Sequence, residues 1–217
     1  MAKQLVFEKV GGWGGKRRGA GRKNRSGLVS HTKREKVLLK APIHINLKVR
    51  AGTVSLRSHG VHKQFKLAIK LAQARGLHVI QYSIQDNHIH LICEARGNRE
   101  LASGMKSFGS RFGKALLKSS RQRKPVFKGR FHMYVLKTPT EVKNALKYVL
   151  LNESKHIKTI AFVDEFSSGY AFENWHKLMR VPDWMETQLH DARPRDFSHL
   201  APARSWLLRE GWMRAAA

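Results

Sequence analysis

The chain is poor in acid and nearly devoid of cysteine. Of its 217 residues only 15 are Asp or Glu, against 42 Lys and Arg, and the formal net charge is +27. An excess of that size repels itself unless a polyanion neutralises it. Nucleic acid therefore ranks first among partners, ahead of a membrane surface or an acidic protein. A structural RNA-binding protein would share this composition, so charge by itself does not identify an enzyme. The single cysteine, Cys93, excludes an intramolecular disulfide and leaves thiolate zinc chemistry unsupported. The N-terminal stretch lacks an apolar core of signal-peptide length, and nothing later approaches a membrane span. A cytoplasmic, nucleoid-associated location with no membrane partner is the expectation.

What is present falls into three parts. Residues 1–40 carry twelve Lys and Arg against Glu8 and Glu35, and GGWGGKRRGAGRKNRSG is too rich in glycine and charge to pack, which predicts a flexible basic arm. It is not a P-loop, because Arg17 follows Lys16 where Ser or Thr is required. From Pro42 the pattern changes. PIHINLKV alternates as a strand, VHKQFKLAIKLAQARG has helical apolar spacing that stops at Gly76, and LHVIQYSIQ alternates again. Asp86-Asn87 predict a turn into HIHLICEA as a third strand. ELASGMKSFGSRFGKALLKSS follows as a helix and RFHMYVLK as a fourth strand. TPTEVKNALKYVLLNESKH then opens with Thr138 as N-cap, Pro139 at the first helical position and Glu141 completing a capping box. The order β-α-β-β-α-β predicts an α+β, ferredoxin-like or RRM-like sheet with helices on one face, plus a further helix and terminal extensions. Residues 41–156 form the expected catalytic domain and 157–217 a C-terminal extension.

The chemistry-bearing candidates are few. His88 and His90 are two apart on a strand, so both imidazoles project from one face while Ile89 turns to the other. That suits two nitrogen ligands on one divalent cation. The pattern is short enough to arise by chance in a chain with twelve histidines, and two partly buried strand histidines would explain it equally well. Tyr148 lies on the last helix of the domain, with Asn152 one turn further on the same face. A tyrosine there is ordinarily core packing, but Val149 and Leu151 can fill the core from neighbouring positions. The asparagine amide oxygen can serve a hard cation. Together the four residues describe phosphodiester chemistry: a cation polarises the phosphate, and a tyrosine attacks reversibly by storing the bond energy as a phosphotyrosine. Two imidazoles in the ligand set make Mn²⁺ as acceptable as Mg²⁺. Arg99, Lys106, Arg111, Lys114, Lys118, Arg121, Arg123, Lys124, Lys128 and Arg130 occur in one stretch with a single acid, Glu100, and predict a phosphate-tracking surface. A solvated helix face accounts for part of that run. Phe127 and Phe131 are candidates for stacking on unpaired bases, with core packing the alternative.

Taken together, QDNHIHLIC resembles the histidine–hydrophobe–histidine (HUH) strand of the single-tyrosine transposases, and KYVLLN their tyrosine helix. The stretch FKGRFHMYVLKTPTEVKNALKYVLLNESKH is similar to the REP-associated tyrosine transposase branch, and SSGYAFENW and SWLLREGW extend the similarity toward the C-terminus. The resemblance implies His88 and His90 as metal ligands, Tyr148 as nucleophile and Asn152 as third ligand or orienting group. It further implies cleavage and rejoining of single-stranded DNA at hairpins, with Mg²⁺ or Mn²⁺, by a monomer or homodimer. Whether the tyrosine serves its own chain or a partner's stays open, as does the role of His132. The sequence departs from the family where Asp86-Asn87 and Glu153 replace prolines. Two other readings stand beside this one: a catalytically silent nucleic-acid-binding module on the same fold, and an HUH replication initiator or relaxase.

Overall fold

The structure, a computed structural model, describes residues 33–39, 41–120, 125–152, 163–190 and 196–215. Most of the expected N-terminal arm, and Arg121, Arg123 and Lys124, lie outside the described residues.

The expected order is realised. Strand β1 is Ile43–Lys48, helix α1 His59–Gln73, strands β2 and β3 His78–Ile84 and His88–Glu94, helix α2 Asn98–Ser120, strand β4 His132–Val135 and helix α3 Pro139–Leu150. The four strands form one sheet in the order β2-β3-β1-β4 with every neighbouring pair antiparallel. This is the split βαβ arrangement. Ser58 caps α1 by accepting from the Val61 N–H, and α3 opens with the capping box of Thr138 and Glu141. Gly76 stops the α1 turn at φ 85°, a left-handed conformation that favours glycine.

Strand alternation sends Ile43, Ile45 and Leu47 of β1 and Ile89, Leu91 and Cys93 of β3 to one face. There they pack with Phe65 of α1 and Phe108 and Phe112 of α2. Helix α2 approaches so closely at Gly104 that a Cβ would fall 2.2 Å from the Leu77 Cβ. The opposite face is covered as well. Ile80 and Ile92 pack under Val142, Leu146, Val149 and Leu150 of α3. Short helices α4 (Trp175–Leu178), α5 (Asp183–His190) and α6 (Trp206–Arg209) and the 3-10 turn Gly211–Arg214 complete that layer. Trp175, Leu178, Met185, Leu208 and Trp212 belong to the same buried cluster as α3.

The segment after residue 163 also seals the edge of β2. Ile84 N–H donates to the Phe166 carbonyl at 3.0 Å and Ser168 N–H to the Tyr82 carbonyl at 3.0 Å. Arg57 fixes this return with two bonds to Asp164, 2.8 and 2.9 Å. The stretch expected as an extension is thus packed and hydrogen-bonded to the sheet. Among the described residues no helix is long and apolar enough to cross a membrane.

Candidate active site

The residues that alternation turns away from α1 and α2 meet under α3. His44, Asn46 and Lys48 alternate with the core positions of β1, as His88 and His90 do on β3. Register brings them together: Asn46 is paired with His90 on one side and with His132 of β4 on the other, and Lys48 is paired with His88. His90, Asn46 and His132 therefore form one row across three strands, with cross-strand neighbours about 5 Å apart. Above them, a cleft of about 430 Å³ is lined by His44, Asn46, Lys48, His90, His132, Tyr134 and Tyr148.

Tyr148 stands edge-on to this row. Its ring centroid is 5.0 Å from that of His90 and 5.8 Å from that of His44. The His88 and His90 rings are 4.8 Å apart and nearly perpendicular. Tyr148 is 38% exposed although its neighbours Val149 and Leu150 are buried, so the helix fills the core without the phenol. Asn152, one turn on, is buried with its amide nitrogen lacking a partner, but it is not among the residues lining the cleft.

The tautomers of the two histidines follow from their neighbours. His88 Nδ1 is 2.8 Å from the Asn87 Oδ1, and that carbonyl can only accept, so Nδ1 carries the proton and Nε2 the lone pair. His90 Nδ1 is 3.2 Å from His44 Nε2. If His90 Nδ1 donates to His44, the His90 Nε2 lone pair is likewise released. That Nε2 is buried without any partner, as is Asn46 Oδ1 across the strand pair. Buried polar atoms are nearly always paired, so these two mark a place prepared for a ligand. Both bridging histidines are held neutral: burial pushes His44 down to about 4. Burial, with His44, His88 and Lys48 nearby, pushes His90 down to about 3. Neutral imidazoles with a hydrogen-bonded Nδ1 are the ligand form for a divalent cation.

Among the described residues no group of three or more His, Cys, Asp and Glu side chains is arranged to hold a metal. Among the described residues, amide oxygens are the further donors near this pair. Asn152 was the sequence candidate; Asn46, whose oxygen is buried, unpartnered and beside His90, is the one that lines the cleft. Sequence reasoning missed Asn46, His44, Lys48 and Tyr134. The first three sit in the alternation of PIHINLKV, which signalled a polar face but not what lies across it.

The expected DNA-binding cations divide. Arg99, Lys106, Arg111, Lys114 and Lys118 are exposed on α2, in the layer on the far side of the sheet from Tyr148. Lys128 and Arg130 precede β4, the strand that carries His132. Phe127 packs against Gly113 and Phe112 in the first core, and Phe131 lies under the Arg34 guanidinium, 3.6 Å from its ring centre.

No family model and no curated protein matches the sequence. Among solved structures, a REP-associated tyrosine transposase bound to a REP hairpin superimposes with a TM-score of 0.52 at 15% identity, covering 82% of this chain and 100% of that one. A bacterial tRNA(His) guanylyltransferase-like protein in complex with GTP reaches a TM-score of 0.41 at 13% identity over 56% of this chain and 66% of that one, too little shared structure to bear on function. Superposition over 82% of this chain shows the fold: the chain has the α+β fold of a REP-associated tyrosine transposase.

Proposed function

We propose that the protein is a divalent-metal-dependent endonuclease that cuts and rejoins single-stranded DNA at hairpins through a 5′-phosphotyrosine on Tyr148. The observation that carries this reading is the exposed phenol standing over two histidines whose Nδ1 atoms are both engaged by neighbours. His88, His90 and one amide oxygen, from Asn46 or Asn152, would hold Mg²⁺ or Mn²⁺. When bound, the cation supplies charge to polarise the scissile phosphate. Lys48 lies in the same cleft and adds a cation for a phosphate oxygen. Tyr148 Oη bonds to phosphorus and gives up its proton while the P–O3′ bond breaks. The departing oxygen takes a proton as a 3′-hydroxyl, and the DNA 5′ end stays on the tyrosine. Attack of a 3′-hydroxyl on this linkage reverses the step without an external energy source. A basic surface of this size adds sequence-independent affinity for the phosphate backbone.

The test is a denaturing gel with Mn²⁺ or Mg²⁺ and labelled single-stranded oligonucleotides containing the hairpins that flank the gene. Wild-type protein is expected to give a metal-dependent covalent band that Tyr148→Phe abolishes and His88→Ala lowers by about 10² or more. Tight binding with no adduct on either strand would leave the silent binding module as the function.

A further inference from the structure

The far end of the sheet holds a second feature that the cleavage chemistry does not use. Where β3 ends at Glu94 and β2 begins at His78, a cavity of about 510 Å³ opens. Its lining includes Arg96, Arg204 and Arg209 together with Trp206. His90 and Glu94 share a face of β3 and are four residues apart, so the cavity lies ~13 Å along the strand from the cleft.

Trp206 is 47% exposed, yet its indole is held in place. Gly211 packs against it so tightly that a Cβ would fall 2.7 Å from the ring, and the Arg214 guanidinium lies 5.6 Å from its centre. Glu94 sets one negative charge against the arginines and is itself held by the backbone. Its two oxygens accept from the Arg204 and Ser205 backbone N–H groups, each at 2.9 Å, and this pins the segment that carries Arg204 and Trp206 to the strand end. The Arg204 guanidinium in turn lies 3.1 Å from His78 Nε2. Three arginines thus line one cavity with a fixed indole, Arg209 also lying 3.5 Å from the Glu210 carboxylate, in a chain whose net charge is +27.

The geometry points to a nucleotide subsite for single-stranded DNA, with one base stacked on Trp206 and its phosphates held by Arg96, Arg204 and Arg209. Stacking accepts any base, because every base offers a π face, and arginine forks suit phosphate oxygens. At about 13 Å from the cleft, the subsite would grip a strand two or three nucleotides away from the scissile phosphate. The inference rests on the proposed DNA substrate but not on cleavage.

Binding of the full chain to fluorescein-labelled dT12 in EDTA, where no cleavage occurs, tests it by fluorescence anisotropy. Trp206→Ala is expected to weaken binding roughly 5- to 100-fold, and Trp206→Phe to restore most of the loss. Arg96→Gln and Arg204→Gln should each reduce the slope of log affinity against log salt by about one. Lys63→Gln on α1, exposed and on the other face of the sheet, serves as a remote charge control, and thermal melting confirms that each variant is folded. Wild-type affinity in Trp206→Ala would overturn the subsite, as would equal losses in Trp206→Ala and Trp206→Phe. A protein that gives no covalent band but passes this test loses the endonuclease reading and keeps the subsite.

Discussion

A histidine offers one lone pair at a time, and which nitrogen carries it is decided by what the other nitrogen touches. Asn87 settles this for His88, while His44 sets it for His90 when His90 Nδ1 is the donor of their shared bond. With that tautomer we propose His44 as a positioning residue that acts through His90. His44→Leu is expected to weaken Mn²⁺ binding by roughly 10- to 100-fold in calorimetry on the full chain, with His44→Gln recovering part of it because its amide oxygen can accept the same proton. Unchanged affinity in His44→Leu would remove the residue from this role. The same positions show what a sequence can and cannot carry. The pair His88 and His90 was legible because strand periodicity alone puts both on one face. Asn46 and His44 were not assignable, because their nearness to His90 depends on β1 pairing with β3 in a register set by contacts 40 to 50 residues apart. Asn87 was read as a turn residue and a missing proline, but not as the amide that lies 2.8 Å from His88 Nδ1.

At the scale of elements, helix α2 separates what composition merges. Its cations occur in one basic run with those near β4, but the sheet lies between α2 and Tyr148. Replacing Lys106 and Lys114 together by Gln should weaken apparent DNA affinity while leaving the single-turnover rate of adduct formation at saturating DNA unchanged. A slowed rate at saturation would place α2 in contact with the reacting strand. The approach of α2 to Leu77 is set by the missing side chain of Gly104. Gly104→Ala should cost about 1–3 kcal/mol in chemical denaturation despite the higher helix propensity of alanine, since its methyl group would overlap Leu77. Boundaries of the main elements were legible in the sequence because capping and periodicity are local: the Thr138 cap and the Asp86-Asn87 turn fall where they were read. The role of residues 163–215 was not, because short helices of four residues carry too little periodicity to show which face they bury.

At the scale of the molecule, a sheet is buried on both sides, and the polar groups enclosed with it set how the protein responds to acid. His44 and His199 are held down to about 4 and His90 to about 3, largely by burial. The unfolded chain takes up these protons near pH 6.5, before the folded one does. Stability is therefore fully present above that pH and is lost as pH falls toward 4. The melting temperature should drop steadily over that range, and His199→Leu should shallow the slope. A melting temperature independent of pH between 6.5 and 4 would contradict the burial of these groups.

The packing of α3 has one last consequence. Helix α3, which carries Tyr148, shares its apolar side with Trp175, Leu208 and Trp212, and the chain beyond it is stapled to β2 through Arg57 and Asp164. To lend Tyr148 to a neighbouring molecule, a chain would have to exchange α3 out of the layer that packs it over Ile80 and Ile92. On this packing we propose that Tyr148 serves the imidazoles of its own chain. Two broken copies, Tyr148→Phe and His88→Ala, mixed in equal amounts should stay as inactive together as apart.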